Sequence, residues 1–331
     1  MPAVDSAILA LLRLDARQVT AAGHGGSSFS STSKISAQLD DGTAMSYFMK
    51  SGKGSDAKIM FEGEHASLNA IHDAVPTLCP KSYGAGTFSD SRDTHFLITD
   101  FLDLSARGDA SGHLQSLARK LAQLHTTPAP IPSTHSHPQF GFPVTTCCGA
   151  TLQDNTYSSS WAHFYANQRI RAIVKQARDR HDADKDLERL AEQLCDQVVP
   201  RLIGDDHLNN GNGVTPVVVH GDLWSGNAST GKLPGMSAPE AVVYDSAACY
   251  AHSEFELGIM KMFGGFGGKF LQDYHDLVPK TEPVEEYDDR VKLYELYHHL
   301  NHYALFGGGY KSGAVGMMRD LVRKYGGPSE L

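Results

Sequence analysis

The apolar positions change period about a third of the way along the chain. Up to residue 101 they come in short runs, alternating or continuous, punctuated by Gly, Ser and Asp, which is the pattern of strands and turns. Beyond that point they recur every three or four residues, the period of helices with one buried face. The first part opens with a helical stretch over 6–14 carrying Leu9, Leu11, Leu12 and Leu14. A strand, the glycine-rich turn Gly23-His24-Gly25-Gly26-Ser27-Ser28 and a second strand over 31–40 follow. Residues 45–50 (MSYFMK) predict a strand and 57–74 a helix marked by Met60, Phe61, Leu68 and Ile71. Two more strands fall at 81–88 and 94–102, the last apolar enough for the centre of a sheet.

The second part predicts helices over 112–126, with Leu114, Leu117, Leu121 and Leu124 in one stripe, and over 158–180, 185–202, 254–263, 267–277, 289–306 and 313–325. Prolines keep 126–144 extended. Trp161, Phe164 and Tyr165 read as core packing. The fold class is α+β in two lobes: residues 1–101 mainly antiparallel β with one helix across the sheet, residues 102–331 mostly helical.

One stretch interrupts the helical part. Val217-Val218-Val219 runs into His220-Gly221-Asp222, and Ala241-Val242-Val243-Tyr244 runs into Asp245. The two apolar runs read as a hairpin-like unit whose mouth gathers Asp222, Asn227 and Asp245. Phosphoryl transfer needs such a trio: an Asp to orient a hydroxyl nucleophile, an Asn five residues on, and a second Asp after the next strand, the last two holding Mg²⁺. Standing alone, His-Gly-Asp is an ordinary turn.

Composition narrows the partners. The 331 residues carry a formal net charge of −9, with 41% hydrophobic and 20% charged residues, an ordinary globular balance that argues against a nucleic-acid footprint. Five cysteines, at 79, 147, 148, 195 and 249, form no metal-binding or disulfide spacing, and His125, His135 and His137 lie at or in an extended loop without a ligand pattern. No run reaches the length of a membrane span and the start lacks a leader pattern, so the expectation is a cytoplasmic monomer with no membrane or nucleic-acid partner.

The first lobe supplies candidates for a nucleotide. Gly25 and Gly26 allow backbone amides to approach phosphates. Lys50 ends a strand from which it can reach them, and Glu64, which shares a helix face with Leu68, can turn inward to hold Lys50, while Glu62 faces solvent. At the crossing between lobes, backbone groups of Asp100 and Leu102 are placed to hydrogen-bond adenine.

These residues, with FEGEHASL at 61–68, FGFPVTTCCG at 140–149, WAHFYANQRI at 161–170, HGDLWSGN at 220–227, DSAACYAHSEFEL at 245–257 and LYHHLNHYALFGGGY at 296–310, resemble the fructosamine/ketosamine-3-kinase family over nearly the whole chain. The resemblance implies a protein-kinase-like fold of the aminoglycoside-phosphotransferase and choline-kinase branch. It also implies ATP and Mg²⁺ as cofactors and phosphorylation of the 3-hydroxyl of fructosamine- or ribulosamine-type ketosamines, free or on glycated proteins, after which the product decomposes and frees the amine. Asp222 is then the catalytic base, Asn227 and Asp245 the Mg²⁺ ligands, Lys50 the phosphate-binding lysine with Glu64 its partner, and His220 and Trp224 face the substrate. The chain departs from the family at Asp245-Ser246-Ala247, where Asp-Pro-Ala is usual, and at Tyr250-Ala251-His252, where Tyr-Gly-His is. Some members carry a redox-active cysteine in the glycine turn; here Ser27 stands there, and no loop-linked disulfide is expected. Within the branch an aminoglycoside or choline kinase is the alternative, and outside enzymes a nucleotide-binding scaffold.

Overall fold

The computed structural model describes residues 4–26, 30–105 and 110–326, the side chains of 110–115 excepted. The short helix α1 (Ser6–Leu12) is capped by Asp5, whose carboxylate accepts the Ala7 amide at 2.8 Å. Five antiparallel strands follow, β1 (Val19–Gly26), β2 (Ser31–Gln38), β3 (Ala44–Lys53), β4 (Ser82–Phe88) and β5 (Ser91–Asp100), in the spatial order β1-β2-β3-β5-β4. β5 is sandwiched. Phe96 and Ile98 pack toward α1 with Ile8, Ile35 and Tyr47, while Leu97 faces the opposite way, against Ala57 and Phe61 of α2 (Gly54–Ala74). That two-sided cover is why its sequence is continuously apolar rather than alternating.

Helix α2 starts three residues before the sequence pattern shows, and buries Ala57, Phe61, Glu64, Leu68 and Ile71. Those positions are spaced four, three, four and three apart, so Glu64 lies on the helix stripe that faces the sheet. In the sheet, Thr32 pairs with Lys50 and Lys50 with Leu97. Paired residues share a face, which puts Lys50 on the α2 side.

The helical part begins with α3 (Ala110–Thr126), which buries Leu117, Leu121 and Leu124. Two short hairpin strands, β6 (Thr146–Cys148) and β7 (Thr151–Gln153), precede α4 (Trp161–Phe164), which continues through a π-helical stretch (Tyr165–Arg171) into α5 (Ala172–Arg180). Likewise α6 (Lys185–Gln193) runs through a π stretch (Leu194–Val198) into α7 (Val199–Ile203). Trp161, Phe164 and Tyr165 are fully buried, the indole donating to the Tyr294 hydroxyl at 2.8 Å. After four short strands over residues 217–251 come α8 (Glu256–Phe263), α9 (Gly268–His275), α10 (Tyr287–Phe306) and α11 (Tyr310–Tyr325). With α5, α8 and α11 packed around it, α10 is buried on most sides, which explains its lack of a polar face.

The hairpin-like unit over 217–250 is built differently from the sequence expectation. β8 (Val217–Val219) does not pair with β10 (Glu240–Val243); it pairs with β11 (Cys249–Ala251), and β10 pairs with β9 (Ala228–Gly231). β9, a strand the periodicity does not mark, takes the edge of β10, and β11 takes the edge of β8. The two turns interlock, the Ala247 amide and Ser246 hydroxyl both donating to the His220 carbonyl at 2.9 and 3.0 Å.

Close packing sets a test. A Cβ on Gly258 of α8 would lie 2.6 Å from the Tyr294 backbone of α10, whereas one on Gly316, exposed on α11, meets nothing within 4 Å. Gly258→Ala is expected to cost about 2 kcal/mol or more because the clash is with backbone, and Gly316→Ala to stabilise by up to about 1 kcal/mol through helix propensity. Chemical denaturation of the two variants checks both signs.

Candidate active site

A cavity of about 440 Å³ lies between the five-stranded sheet and the Asp245 turn. Gly25, Gly26, Lys50, Glu64, Asp100, Leu102 and Asp245 all line it. Its centre is a three-way ion contact: Lys50 Nζ lies 2.7 and 2.8 Å from the two Glu64 oxygens and 2.6 Å from Asp245 Oδ1. Lys50 and Glu64 are 14% and 10% exposed at the side chain, whereas the Asp245 carboxylate is open to the cavity. Burial opposes the ammonium charge, but the Glu64 and Asp245 carboxylates more than offset it and raise the lysine pKa, so Lys50 stays protonated. Burial pushes the Glu64 carboxyl up while Lys50 pulls it down. Glu62 is exposed, 3.9 Å from Lys58.

Gly25 and Gly26 sit at the end of β1, Gly25 with φ +100°, a backbone only glycine adopts readily. Ser27 lies outside the described residues. At the lobe crossing the Asp100 amide is already donated to the Lys81 carbonyl at 2.9 Å, and its carboxylate accepts the Tyr83 hydroxyl at 2.8 Å. Asp100 therefore offers a ligand its carbonyl rather than its N–H; that carbonyl accepts the Thr99 hydroxyl at 3.0 Å and keeps a second lone pair. The sequence reading missed the apolar walls, Phe48, Leu68 and Phe101 among them. Phe48 was findable, since it stands two residues before Lys50 on one strand and must share its face.

Asp222, Asn227, His220 and Trp224 do not line this cavity; they belong to the adjoining loop. The Asn227 side-chain amide donates to the Asp222 carbonyl at 2.8 Å and approaches the Asp222 carboxylate at 3.4 Å, which turns its amide oxygen away from that partner. Burial pushes the Asp222 carboxyl up to about 8, with the Asp245 and Glu256 charges adding to it, while the Cys148 thiol, 3.7 Å away, and the Asn227 amide oppose the rise. Positive charge arriving beside Asn227 and Asp245 would oppose that upward push. The Asn227 oxygen and the open Asp245 carboxylate are hard oxygen donors that suit Mg²⁺, the remaining positions falling to phosphate and water. Among the described residues no group of three or more His, Cys, Asp and Glu is assembled as a metal site.

His220 corrects the expectation of a substrate contact. Its ring is buried, accepts the Asp222 amide at Nδ1 (3.3 Å) and donates from Nε2 to the Tyr244 carbonyl (3.0 Å). Those partners require the neutral ring, and burial lowers its pKa accordingly. It ties the Asp222 turn to the strand that ends in Asp245. Trp224 is 37% exposed, with its ring over Gly226 and 5.4 Å from Phe263. Gly221 must be glycine: φ is +82°, and a Cβ would lie 2.2 Å from the Ala247 carbonyl.

Glu256, not singled out by sequence, clamps the turn. One oxygen accepts the Gly221 amide at 3.1 Å and the other accepts the His220 amide, with His125 Nε2 3.7 Å from the same carboxylate. The cysteines are all free; Cys147 and Cys148 occupy successive positions of β6 and so project to opposite faces.

The match to known proteins follows this geometry. The family model described as fructosamine kinase matches residues 18–324. The chain belongs to that family. It is 32% identical to the ketosamine-3-kinase of Mus musculus, over 94% of this chain and 97% of that one. It is 35% identical to the chloroplastic protein-ribulosamine 3-kinase of Oryza sativa subsp. japonica, over 87% and 76%. A crystal structure from Thermobifida fusca, assigned as a fructosamine-3-kinase, superposes with TM-score 0.74 at 26% identity, covering 97% of this chain and 99% of that one. Aminoglycoside phosphotransferase APH(4)-Ia, at 14% identity and TM-score 0.57 over 97% and 98%, shares the protein-kinase-like fold. No helix of the described residues is long and apolar enough to cross a membrane.

Glu256→Ala strands two buried amides, and is expected to destabilise the protein by about 2–5 kcal/mol. His125 and backbone hydrogen bonds outweigh the upward push of burial and hold the Glu256 pKa below 4.5. The clamp's contribution is therefore full above pH about 4.5 and lost as pH falls through the lower folded value. Denaturation midpoints of wild type and variant should converge in acid; a constant gap down to the acid limit would contradict the clamp.

Proposed function

We propose that the protein is an ATP- and Mg²⁺-dependent ketosamine 3-kinase, phosphorylating the sugar 3-hydroxyl of glycated amines. The observation that carries this is the Lys50–Glu64–Asp245 contact at the cavity beside the Asp222–Asn227 turn, in a chain of the fructosamine kinase family. The full-length similarity to proteins named ketosamine-3-kinase and protein-ribulosamine 3-kinase supports the acceptor class. The division into a nucleotide-holding lobe to residue 101 and a catalytic lobe after it is part of the same proposal.

In this reading adenine lies between the apolar walls, meeting the Asp100 carbonyl and the Leu102 backbone. The Gly25 and Gly26 backbone and the Lys50 ammonium hold the phosphates. Asp222 Oδ accepts the proton of the 3-hydroxyl as that oxygen bonds to the γ-phosphorus and the bond to the leaving ADP oxygen breaks. Bound Mg²⁺, held by the Asn227 oxygen and Asp245, supplies charge neutralisation on the phosphates. Little covalent chemistry is asked of the chain, so alignment by the Glu256 clamp and the Lys50–Glu64 pair supplies much of the rate.

ADP release measured across ketosamines, choline and aminoglycosides tests the assignment; a higher kcat/KM for choline or an aminoglycoside refutes it. Asp222→Asn is expected to keep nucleotide binding and to lower turnover by roughly a hundredfold or more, the size of a general-base contribution. Asp245→Ala is expected to abolish the Mg²⁺ dependence of nucleotide binding, read by calorimetric titration with and without the metal.

A further inference from the structure

The Asp222 carboxylate is held at both oxygens. The Asn227 amide approaches Oδ2 at 3.4 Å, and the Cys148 thiol faces Oδ1 at 3.7 Å, a contact of the length sulfur requires. Asn227 has a role as a metal ligand in the reading above; Cys148 has none.

The direction of the thiol contact follows from Asn301 of α10. Its side-chain amide lies 3.3 Å from the Cys148 carbonyl, which can only accept, so the NH₂ end points at Cys148. The same nitrogen lies 3.3 Å from Cys148 Sγ, and the Asn301 oxygen accepts the Thr151 hydroxyl. Sulfur therefore accepts from Asn301, which leaves its own S–H to donate to Asp222. Burial and the Asp222 charge hold the thiol well above its ordinary pKa, so it keeps the proton it donates.

A hairpin places Cys148, and one helix face places the hairpin. Cys148 pairs with Thr151 across the turn Gly149-Ala150, in which Gly149 has φ +62°. Tyr297, Asn301 and Leu305 follow one another at four-residue spacing on α10 and so share a face. The Tyr297 hydroxyl accepts the Gln153 amide of β7 at 2.8 Å, Asn301 holds Thr151 and Cys148, and a Cβ on Gly149 would lie 3.1 Å from Leu305. At the base of the hairpin the Thr145 carbonyl fits against Gly63 of α2, where a Cβ would lie 2.6 Å away. β6 is thus wedged between α2 and α10, with little freedom to withdraw the thiol.

A carboxylate turns readily about its Cβ–Cγ bond, because the energy well of such a torsion is broad. For a base, that turn decides whether a lone pair meets the incoming hydroxyl. A contact at one oxygen leaves the group free to pivot; a second contact, at the other oxygen, removes the freedom. Each oxygen still has a lone pair for the acceptor. We propose that Cys148, seated by Asn301, is a positioning residue for phosphoryl transfer, its S–H fixing the plane of the Asp222 carboxylate and so aiming the lone pair that takes the acceptor's proton. This rests on Asp222 being the base of the kinase reading and adds what aims it. The thiol itself forms and breaks no bond.

The experiment uses the full chain and three substitutions, with kcat and KM for the ketosamine of methylamine and the Kd for MgATP as readouts. Cys148→Ser keeps a donor; Cys148→Ala and Cys148→Val remove it, valine retaining the bulk. Alanine and valine are each expected to lower kcat roughly tenfold while ketosamine KM and MgATP Kd stay within about twofold, since misalignment of a base is felt in the transition state and not in binding. Cys148 is not among the walls of the nucleotide cavity, which is why the Kd should hold. Serine is expected to keep kcat within about threefold of the unmodified chain. Thermal melts identify the folded variants, and if alanine does not fold, valine against serine carries the comparison. Valine at the unmodified rate, serine as slow as valine, or a rise in KM with kcat unchanged overturns the positioning role and leaves the kinase reading intact. Absence of ketosamine turnover by the unmodified chain overturns the kinase reading and the positioning role with it.

Discussion

The structure turns on one largely enclosed cation. Lys50 reaches from the sheet to Glu64 on α2 and to Asp245 in the turn after β10, so a single ammonium joins the strand lobe, its helix and that turn of the helical lobe. A lysine so enclosed is costly without partners, and either carboxylate left alone beside it would be costly in turn. The triplet is thus stable only when α2 packs on the sheet and the two lobes meet. That makes the geometry of the cavity a consequence of the pairing as much as its setting.

The helical lobe fixes its side of the contact by backbone means. Asp245 has φ +59°, an uncommon conformation for a residue with a side chain, and Gly221 has φ +82° two strands away. Neither turn would hold these angles by itself. Glu256 gathers the His220 and Gly221 amides, His220 spans from the Asp222 amide to the Tyr244 carbonyl, and the Tyr244 amide reaches the Asn227 carbonyl at 3.1 Å. The strain is local and the restraints come from three separate elements, the arrangement expected where precise side-chain placement outweighs local comfort.

Most of the element order was legible because each helix and strand follows its own period. Glu64 could be read as inward from its spacing to Leu68, and Lys50 from its place at the end of an alternating strand. The pairing of β8 with β11 was not legible, since both candidate runs are short, apolar and Val-rich, and periodicity says nothing about which partner closes the ladder. His220 was placed at the substrate by the family resemblance alone, and only its burial and two backbone partners show it to be a strut. Glu256 was invisible because a glutamate at the start of a helix normally faces water; here the positive end of α8 and the two turn amides of His220 and Gly221 make the interior its better solvent.

The same framework explains how a site this enclosed can accept a polyanion. Lys50 neutralises Asp245, and Asp222 is pushed toward its neutral form by burial and by that neighbouring carboxylate. Phosphate oxygens compete for Lys50, and a divalent cation competes for Asp245, so the two arrivals separate the pair without leaving either charge bare. Nucleotide alone would strand Asp245 beside new negative charge, and metal alone would strand Lys50 beside new positive charge. Each therefore makes the other's binding cheaper, by an amount set by Coulomb interactions in a poorly hydrated cleft. In the proposed mechanism the same positive charge also counteracts the Asp245 repulsion that adds to burial in raising the Asp222 pKa, and so favours Asp222 as the base. On that proposal, readiness for proton acceptance is tied to the presence of the group that is to be transferred.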